Sequence, residues 1–292
     1  MKSAIFKKGV LKASLLAGLA LGTVGFVPGQ ASALILDAWQ LDLSTVNSNL
    51  GNTVNIDRVI VSGDGTVNQS FGLDGIFNDG DTFTEMSLLQ TLTYWQEPGS
   101  GSGNYKVFDL LDESTSTSYN LYLYGTGLTG SVYNVSTPNP FDPSTWSFDY
   151  SFDAGSGSLG VYLDIDADPT NGVTATLATF SIIPPSGGQG PAGFLGGTAP
   201  NGTTDLTAVF TSAYAGVWKT STGTDFSSLP VTLGLLNTHN LVTGFIPTGT
   251  GFITTVESNG QFNVAVPEPG TFLLLGGGLV GLGMYVRRRV RK

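Results

Sequence analysis

The stretch Trp146-Ser147-Phe148-Asp149-Tyr150-Ser151-Phe152-Asp153 decides the fold class. Large apolar or aromatic residues alternate with Ser and Asp through the whole run, the two-residue period of a strand with one buried face. The chain on either side reads the same way. Residues 119–124 are rich in Tyr and Leu, as strands are. Residues 56–61, 83–94, 159–164, 175–183, 206–214, 252–257 and 261–266 are further strand candidates. Turn chemistry separates them: Gly63-Asp64-Gly65, Asn78-Asp79-Gly80, residues 99–104, residues 154–158 and Asn171-Gly172. No segment between residues 34 and 266 holds a 3.6-residue apolar period, and only residues 225–229 read as a short helix. Many short strands at such spacing predict an all-β domain, expected to be a β-sandwich or jelly roll. Residues 184–204, dense in Gly and Pro, are expected to form a long exposed loop.

The two ends of the chain belong to another kind of sequence. Lys2, Lys7, Lys8 and Lys12 precede an apolar run that Pro28 and Gly29 end, and Ala31-Ser32-Ala33 follows. That order is a secretory signal peptide over residues 1–33, with Ala31 and Ala33 as the small residues a signal peptidase reads and Leu34 as the first mature residue. At the other end Val266-Pro267-Glu268-Pro269 precedes an apolar run and then Arg287, Arg288, Arg289, Val290, Arg291 and Lys292. As a helix, residues 271–286 would be roughly 24 Å long. Snorkelling arginines would bring such a helix toward the roughly 30 Å of hydrocarbon. The basic clusters at both ends are predicted to stay cytoplasmic, so everything between them lies outside.

Those three parts in order, Val266-Pro267-Glu268-Pro269, a short glycine-containing apolar helix over residues 270–286 and a terminal arginine cluster, resemble the PEP-CTERM protein-sorting signal. The resemblance covers residues 266–292 and implies processing near the motif by an inner-membrane exosortase, in bacteria that make exopolysaccharide. It also implies that Pro267, Glu268 and Pro269 are the recognition element and Arg287 to Arg289 the charges that hold the tail inside.

Between the ends, residues 34–265 form the exported domain. Residues 34–266 carry three basic residues (Arg58, Lys106 and Lys219) against 21 acidic ones, a net of −18 that the whole-chain value of −10 conceals. Such a charge excludes nucleic acid as a partner, because that binding rests on Lys and Arg at phosphates. The same charge attracts divalent cations. The chain has no Cys, which removes thiol chemistry and disulfides, and His239 stands alone, which removes multi-histidine metal sites. No G-x-S-x-G elbow and no Gly-Lys-Ser/Thr loop occurs.

Asp164, Asp166 and Asp168 stand at i, i+2 and i+4, which on a strand is one face. Three such carboxylates repel unless a cation neutralises them, and oxygen ligands suit Ca²⁺. Pro169 and Ala175 depart from the EF-hand pattern, so the choice lies between a simple calcium loop and a solvated acidic turn. Asn78-Asp79-Gly80-Asp81, with Asp74 and Glu85 nearby, is a second acidic turn with the same two readings. The stretch 78–85 also resembles the flocculation-associated PEP-CTERM proteins. The expected function is therefore a non-enzymatic structural or adhesive protein of the cell surface or extracellular matrix, linked to exopolysaccharide and to floc or biofilm formation. A carbohydrate-binding module using Trp39, Trp95, Trp146 or Trp218 is the alternative, and a glycan hydrolase with paired carboxylates comes third.

Overall fold

The alternating stretch forms β7 (Ser147–Phe152), and Phe148, Tyr150 and Phe152 all turn toward the interior. The computed structural model describes residues 33–48, 50, 55–96, 106–109, 119–139, 142, 145–165, 175–190, 202–229 and 231–267. Residues 35–266 make one compact unit. Its strands in chain order are β1 (Ala33–Ile35), β2 (Trp39–Leu41), β3 (Arg58–Ser70), β4 (Thr82–Gln96), β5 (Lys106–Asp109), β6 (Asn120–Ser136), β7, β8 (Ser158–Asp164), β9 (Ala175–Gln189), β10 (Gly202–Ala213), β11 (Trp218–Thr220), β12 (Leu233–Thr248) and β13 (Gly251–Pro267).

The all-β reading holds, but the ladder is neither a sandwich nor a jelly roll. Each long strand pairs antiparallel with the next: β3 with β4, β4 with β6, β6 with β7 and β8, those with β9, then β10, β12 and β13. β13 then pairs with β3 over twelve registered positions from Gly251↔Ser70 to Phe262↔Val59. The path closes into an up-and-down barrel with eight places around its wall (β3, β4, β6, β7–β8, β9, β10, β12, β13). A sandwich would need two separate ladders, and a jelly roll would need crossovers. Here every connection around the wall joins neighbours.

β7 and β8 share one place in that wall. Both run antiparallel to β6, with Gly130↔Phe152 on one side of the break and Thr126↔Ser158 on the other. Residues 154–158, expected as a turn, interrupt a strand without reversing it. Gly127 and Gly157 meet there with φ of 65° and 63°, and a Cβ on Gly157 would lie 2.6 Å from the Gly127 backbone, so only glycine fits. Gly63-Asp64-Gly65 is not a turn either. It lies inside β3, and a Cβ on Gly63 would sit 2.1 Å from the Leu88 carbonyl oxygen, so this glycine serves close approach of two strands.

The expected loop over residues 184–204 is shorter than its composition suggests. β9 continues through Pro184 and Pro185 to Gln189, and β10 starts at Gly202. Neither proline can donate to the ladder, and the register with β10 shifts there. Ser186 fills the gap: its hydroxyl, with one hydrogen to donate, lies 2.7 Å from Ile183 O and 3.0 Å from Thr207 O and accepts from Thr207 N (2.9 Å). The short helix expected at 225–229 is a 3₁₀ turn, Phe226–Ser228, with Asp225 at its N-cap accepting from Ser227 N. Burial works against the Asp225 charge, but the N–H groups of Ser227 and Gly216 hold its pKa below the usual value.

Both barrel ends are filled. Between β3 and β4, residues 71–81 place Phe77 against Trp146 (ring centres 5.3 Å apart), Phe148 (5.2 Å) and Phe252 (5.4 Å). At the opposite end β2 pairs with β11, and Trp39 stacks on Trp218 at 5.6 Å. Each indole N–H is satisfied by a carbonyl, Trp39 by Asp57 O (3.1 Å) and Trp218 by Leu177 O (2.8 Å). Lys219 bridges to Asp42 at 2.7 Å, and that bond, with one from Ser44, lowers the Asp42 pKa.

Trp218 is 1% exposed and shares its end of the interior with Phe210, Phe226 and Phe262. Trp218→Ala is expected to cost about 3–5 kcal/mol of stability by cavity formation. Tyr214→Ala, at a side chain 41% exposed, is expected to change it by less than about 0.5 kcal/mol. Denaturant midpoints of the two variants check the difference.

Candidate functional site: a barrel cavity holding Glu85

β4 sets the site. Phe83, Glu85, Ser87 and Leu89 share one face of the strand, and Phe83 and Leu89 are buried inside the barrel. The pleat therefore turns Glu85 and Ser87 inward as well. Met86 and Leu88 take the outer face, 47% and 48% exposed. The neighbouring strand is bulged at this level: Glu85↔Leu128 and Ser87↔Gly125 leave an extra residue in β6. The bulge and the short side chains at Gly125, Ser87, Thr254 and Ser258 leave the middle of the barrel incompletely filled. A cavity of about 80 Å³ (the space open to the centres of water molecules) remains there, walled by β3, β4, β6, β7, β8, β10, β12 and β13 and by the end of β9. Eight-stranded barrels are wide enough to be filled by side chains or to hold one small ligand.

The polar groups of the wall are of two kinds. One set is self-contained. Ser258 and Thr238 donate to Asn240 Oδ1 (2.9 and 3.0 Å), and Asn240 Nδ2 donates to Thr204 Oγ1 (2.7 Å). Thr204 lies 2.5 Å from the Tyr150 hydroxyl, which donates to Thr203 O at 2.9 Å. With Asn240 directly opposite Ser258 across the β12–β13 pair, this chain ties four strands together from within. Gln69 is engaged likewise, donating to Thr82 O at 3.0 Å.

Glu85 is the other kind. The Ser87 hydroxyl beside it favours its charged form, and no Lys or Arg lines the cavity among the described residues. Part of its surface faces the cavity, so it counts as half-buried by accessibility, yet the barrel wall encloses it. Burial away from bulk water pushes its pKa up to about 7, against a smaller opposing effect of the Ser87 bond. The same burial, with the Glu85 charge nearby, raises the Tyr150 pKa, so the phenol remains a neutral hydrogen-bonding group.

The residues singled out from sequence fall elsewhere. Asp164 ends β8 opposite Asn120 and is 3% exposed. Asp166 and Asp168 lie outside the described residues, as do Ala31, Glu268, Pro269, the segment 270–286 and Arg287, Arg288 and Arg289. Ala33 is the first residue of β1, and Val266 and Pro267 end β13. Among the described residues no group of three or more acidic or His side chains could hold a metal, and no helix is long and apolar enough to cross a membrane.

The second acidic turn is structural. Asp81 accepts from Gly72 N (2.7 Å) and Asn78 N (2.9 Å), Asp79 from Val135 N (2.7 Å), and Asp74 from Ile76 N (3.1 Å). These carboxylates hold the loop that seats Phe77, while Glu85 points into the barrel. Trp39, Trp146 and Trp218 are core residues, so they supply no exposed sugar platform, and the Trp95 side chain is outside what is described. His239 is exposed on β12. The cavity holds a single carboxyl, whereas a glycosidase needs two.

A carboxyl whose folded pKa is raised stabilises the fold while protonated. In the folded chain Glu85 keeps its proton up to about pH 7, whereas the unfolded chain loses it near the ordinary value of 4.5. Stability should therefore fall as pH rises from about 4.5 through 7, by at most about 1.4 kcal/mol for each pH unit crossed. Glu85→Gln is expected to remove that slope, leaving a variant more stable than wild type at pH 8 and similar at pH 5. Parallel unfolding curves across this range would refute the raised carboxyl.

No curated protein and no solved structure matches the chain. Residues 265–289 match the PEP-CTERM protein-sorting motif, over the segment that carries Val266-Pro267-Glu268-Pro269 and the arginines. The chain thus carries a PEP-CTERM protein-sorting motif at its C-terminal end, and that motif implies an exported protein that passes through a membrane-anchored intermediate and is processed by an exosortase.

Proposed function

We propose that the chain is an exported, non-enzymatic structural or adhesive protein of the cell surface or extracellular matrix, associated with exopolysaccharide and floc or biofilm formation. The observation that carries this reading is the sorting motif at residues 265–289, which commits the body to the outside of the membrane.

The body suits display at high local density. Its main ladder closes on itself, and closure removes the unpaired strand edges through which crowded β-proteins aggregate. Its charge of −18 over residues 34–266 favours solubility and repels anionic polysaccharide. Divalent ions would then link protein and polymer, with Asp164, Asp166 and Asp168 as the proposed Ca²⁺ ligands.

Two fractionation experiments test the proposal. Replacing Pro267, Glu268 and Pro269 by Ala should leave the protein in the inner-membrane fraction, whereas wild type should reach the cell surface or matrix. A chelator at constant ionic strength should release wild-type protein from the matrix, and Asp166→Ala together with Asp168→Ala should weaken its retention severalfold. Retention indifferent to chelator and to both substitutions would eliminate calcium bridging. Wild-type protein found only in soluble periplasm would eliminate the surface role.

A further inference from the structure

The enclosed carboxyl in the barrel interior is unaccounted for by any role in display. Structural carboxylates elsewhere in this chain are taken up by N–H groups or by a cation: Asp81 by Gly72 and Asn78, Asp225 by Gly216 and Ser227, Asp42 by Lys219. Glu85 has one hydroxyl and a cavity in front of it. An ionised carboxylate accepts roughly four hydrogen bonds, so most of its acceptor capacity is free. The rest of the lining is mostly apolar, and its other polar side chains are largely engaged with one another or with backbone.

We propose that this cavity is a binding site for a small primary alkylamine, with the ammonium paired to Glu85 and the alkyl chain along the apolar wall. Three features select that chemistry. The head must donate and must offset a buried negative charge, which an ammonium does with three N–H donors. The rings of Phe83, Tyr150 and Phe152, in mutual edge contact at 5.4 to 5.8 Å, border the same space, and aromatic faces attract cations. An anionic head would meet the Glu85 charge inside and the acidic surface outside, so carboxylates are disfavoured. Size follows from volume: a water needs roughly 10–15 Å³ of such space, so the cavity admits about five to eight groups of that size. An amine of about seven heavy atoms fits.

The ionisable groups facing Glu85 are few. Of the side chains lining the cavity on β3, β6, β7, β8, β10, β12 and β13, only Tyr150 titrates, and it stays neutral. Asp205, on the outer face of β10, is the nearby charge that acts on Tyr150. Binding of an ammonium therefore follows the ionisation of Glu85 and strengthens as pH rises through about 7, where an alkylamine is still protonated.

The test uses the full-length chain in detergent, titrated with n-hexylamine, n-hexanol and hexanoate while thermal unfolding is followed. Wild type should show a saturable rise in Tm with hexylamine, a weaker one with hexanol and none with hexanoate. Hexylamine affinity should rise at least about fivefold from pH 5.5 to 8.5. Glu85→Gln, which keeps the shape of the side chain, should weaken hexylamine binding about tenfold or more and leave hexanol binding unchanged, with the micelle acting equally on both proteins. Equal hexylamine binding by wild type and Glu85→Gln would overturn the proposal, as would hexanoate binding or the absence of a saturable shift. The pH series on wild type is independent of the variant's folding, and a flat series also overturns it.

Discussion

The pairing of β13 with β3 is the constraint on which the rest of the molecule depends. It turns a linear run of antiparallel neighbours into a ring, and a ring has an inside. The inward hydrophobic core from Val59 to Val264 is buried within that closed wall. Closure also creates two open ends, and large aromatics among the described residues are placed there. Phe77, Trp146 and Phe252 fill one end, and Trp39 and Trp218 the other. The loops that deliver them are held by carboxylates accepting backbone N–H groups, which explains why so acidic a chain keeps several aspartates near its core.

The interior is filled unevenly. Toward Trp218 it is packed with Leu, Val and Phe and leaves only about 20 Å³ of open space. At the level of Glu85 the wall is bulged and its side chains are short. The polar chain from Ser258 through Asn240 to Tyr150 bonds β13, β12, β10 and β7 to one another with nothing left unpaired between them. Glu85 sits opposite that balance. An enclosed carboxyl with one hydroxyl partner raises the energy of the ionised state, and a fold that retains it carries a cost that an apolar residue at the same position would not impose.

Local chemistry is legible in the sequence wherever one residue can be judged by its neighbours. The alternation at 146–153 marks β7, and the run from Val266-Pro267-Glu268-Pro269 to the arginines marks the sorting motif at residues 265–289. Long-range pairing is not legible. A sandwich strand and a barrel strand have the same two-residue period, and what separates them is whether the first long strand meets the last. Gly63-Asp64-Gly65 reads like a turn because glycine serves turns and close strand approach equally. β12 is hidden because Gly234, Gly244 and Pro247 interrupt it and its inward positions Thr238 and Asn240 are polar. Glu85 is readable in principle: Phe83 and Leu89 are six residues apart, an even number, so whatever lies at 85 and 87 shares their face. Met86 and Leu88 mask that phase by placing apolar residues on the outside.

Ring closure has a consequence for the order of events in export. The side chains of Arg58 and Gln261 that meet across the seam are 203 residues apart in the chain. Contacts at such separation form last, because the entropy of closing the loop must be met before they contribute anything. The seam cannot form until β13 has emerged, and β13 runs directly into the sorting motif at Pro267. Until then the growing chain is an open sheet with two exposed edges. Completion of the fold and arrival of the sorting motif, which implies a membrane-anchored intermediate, therefore become nearly the same moment.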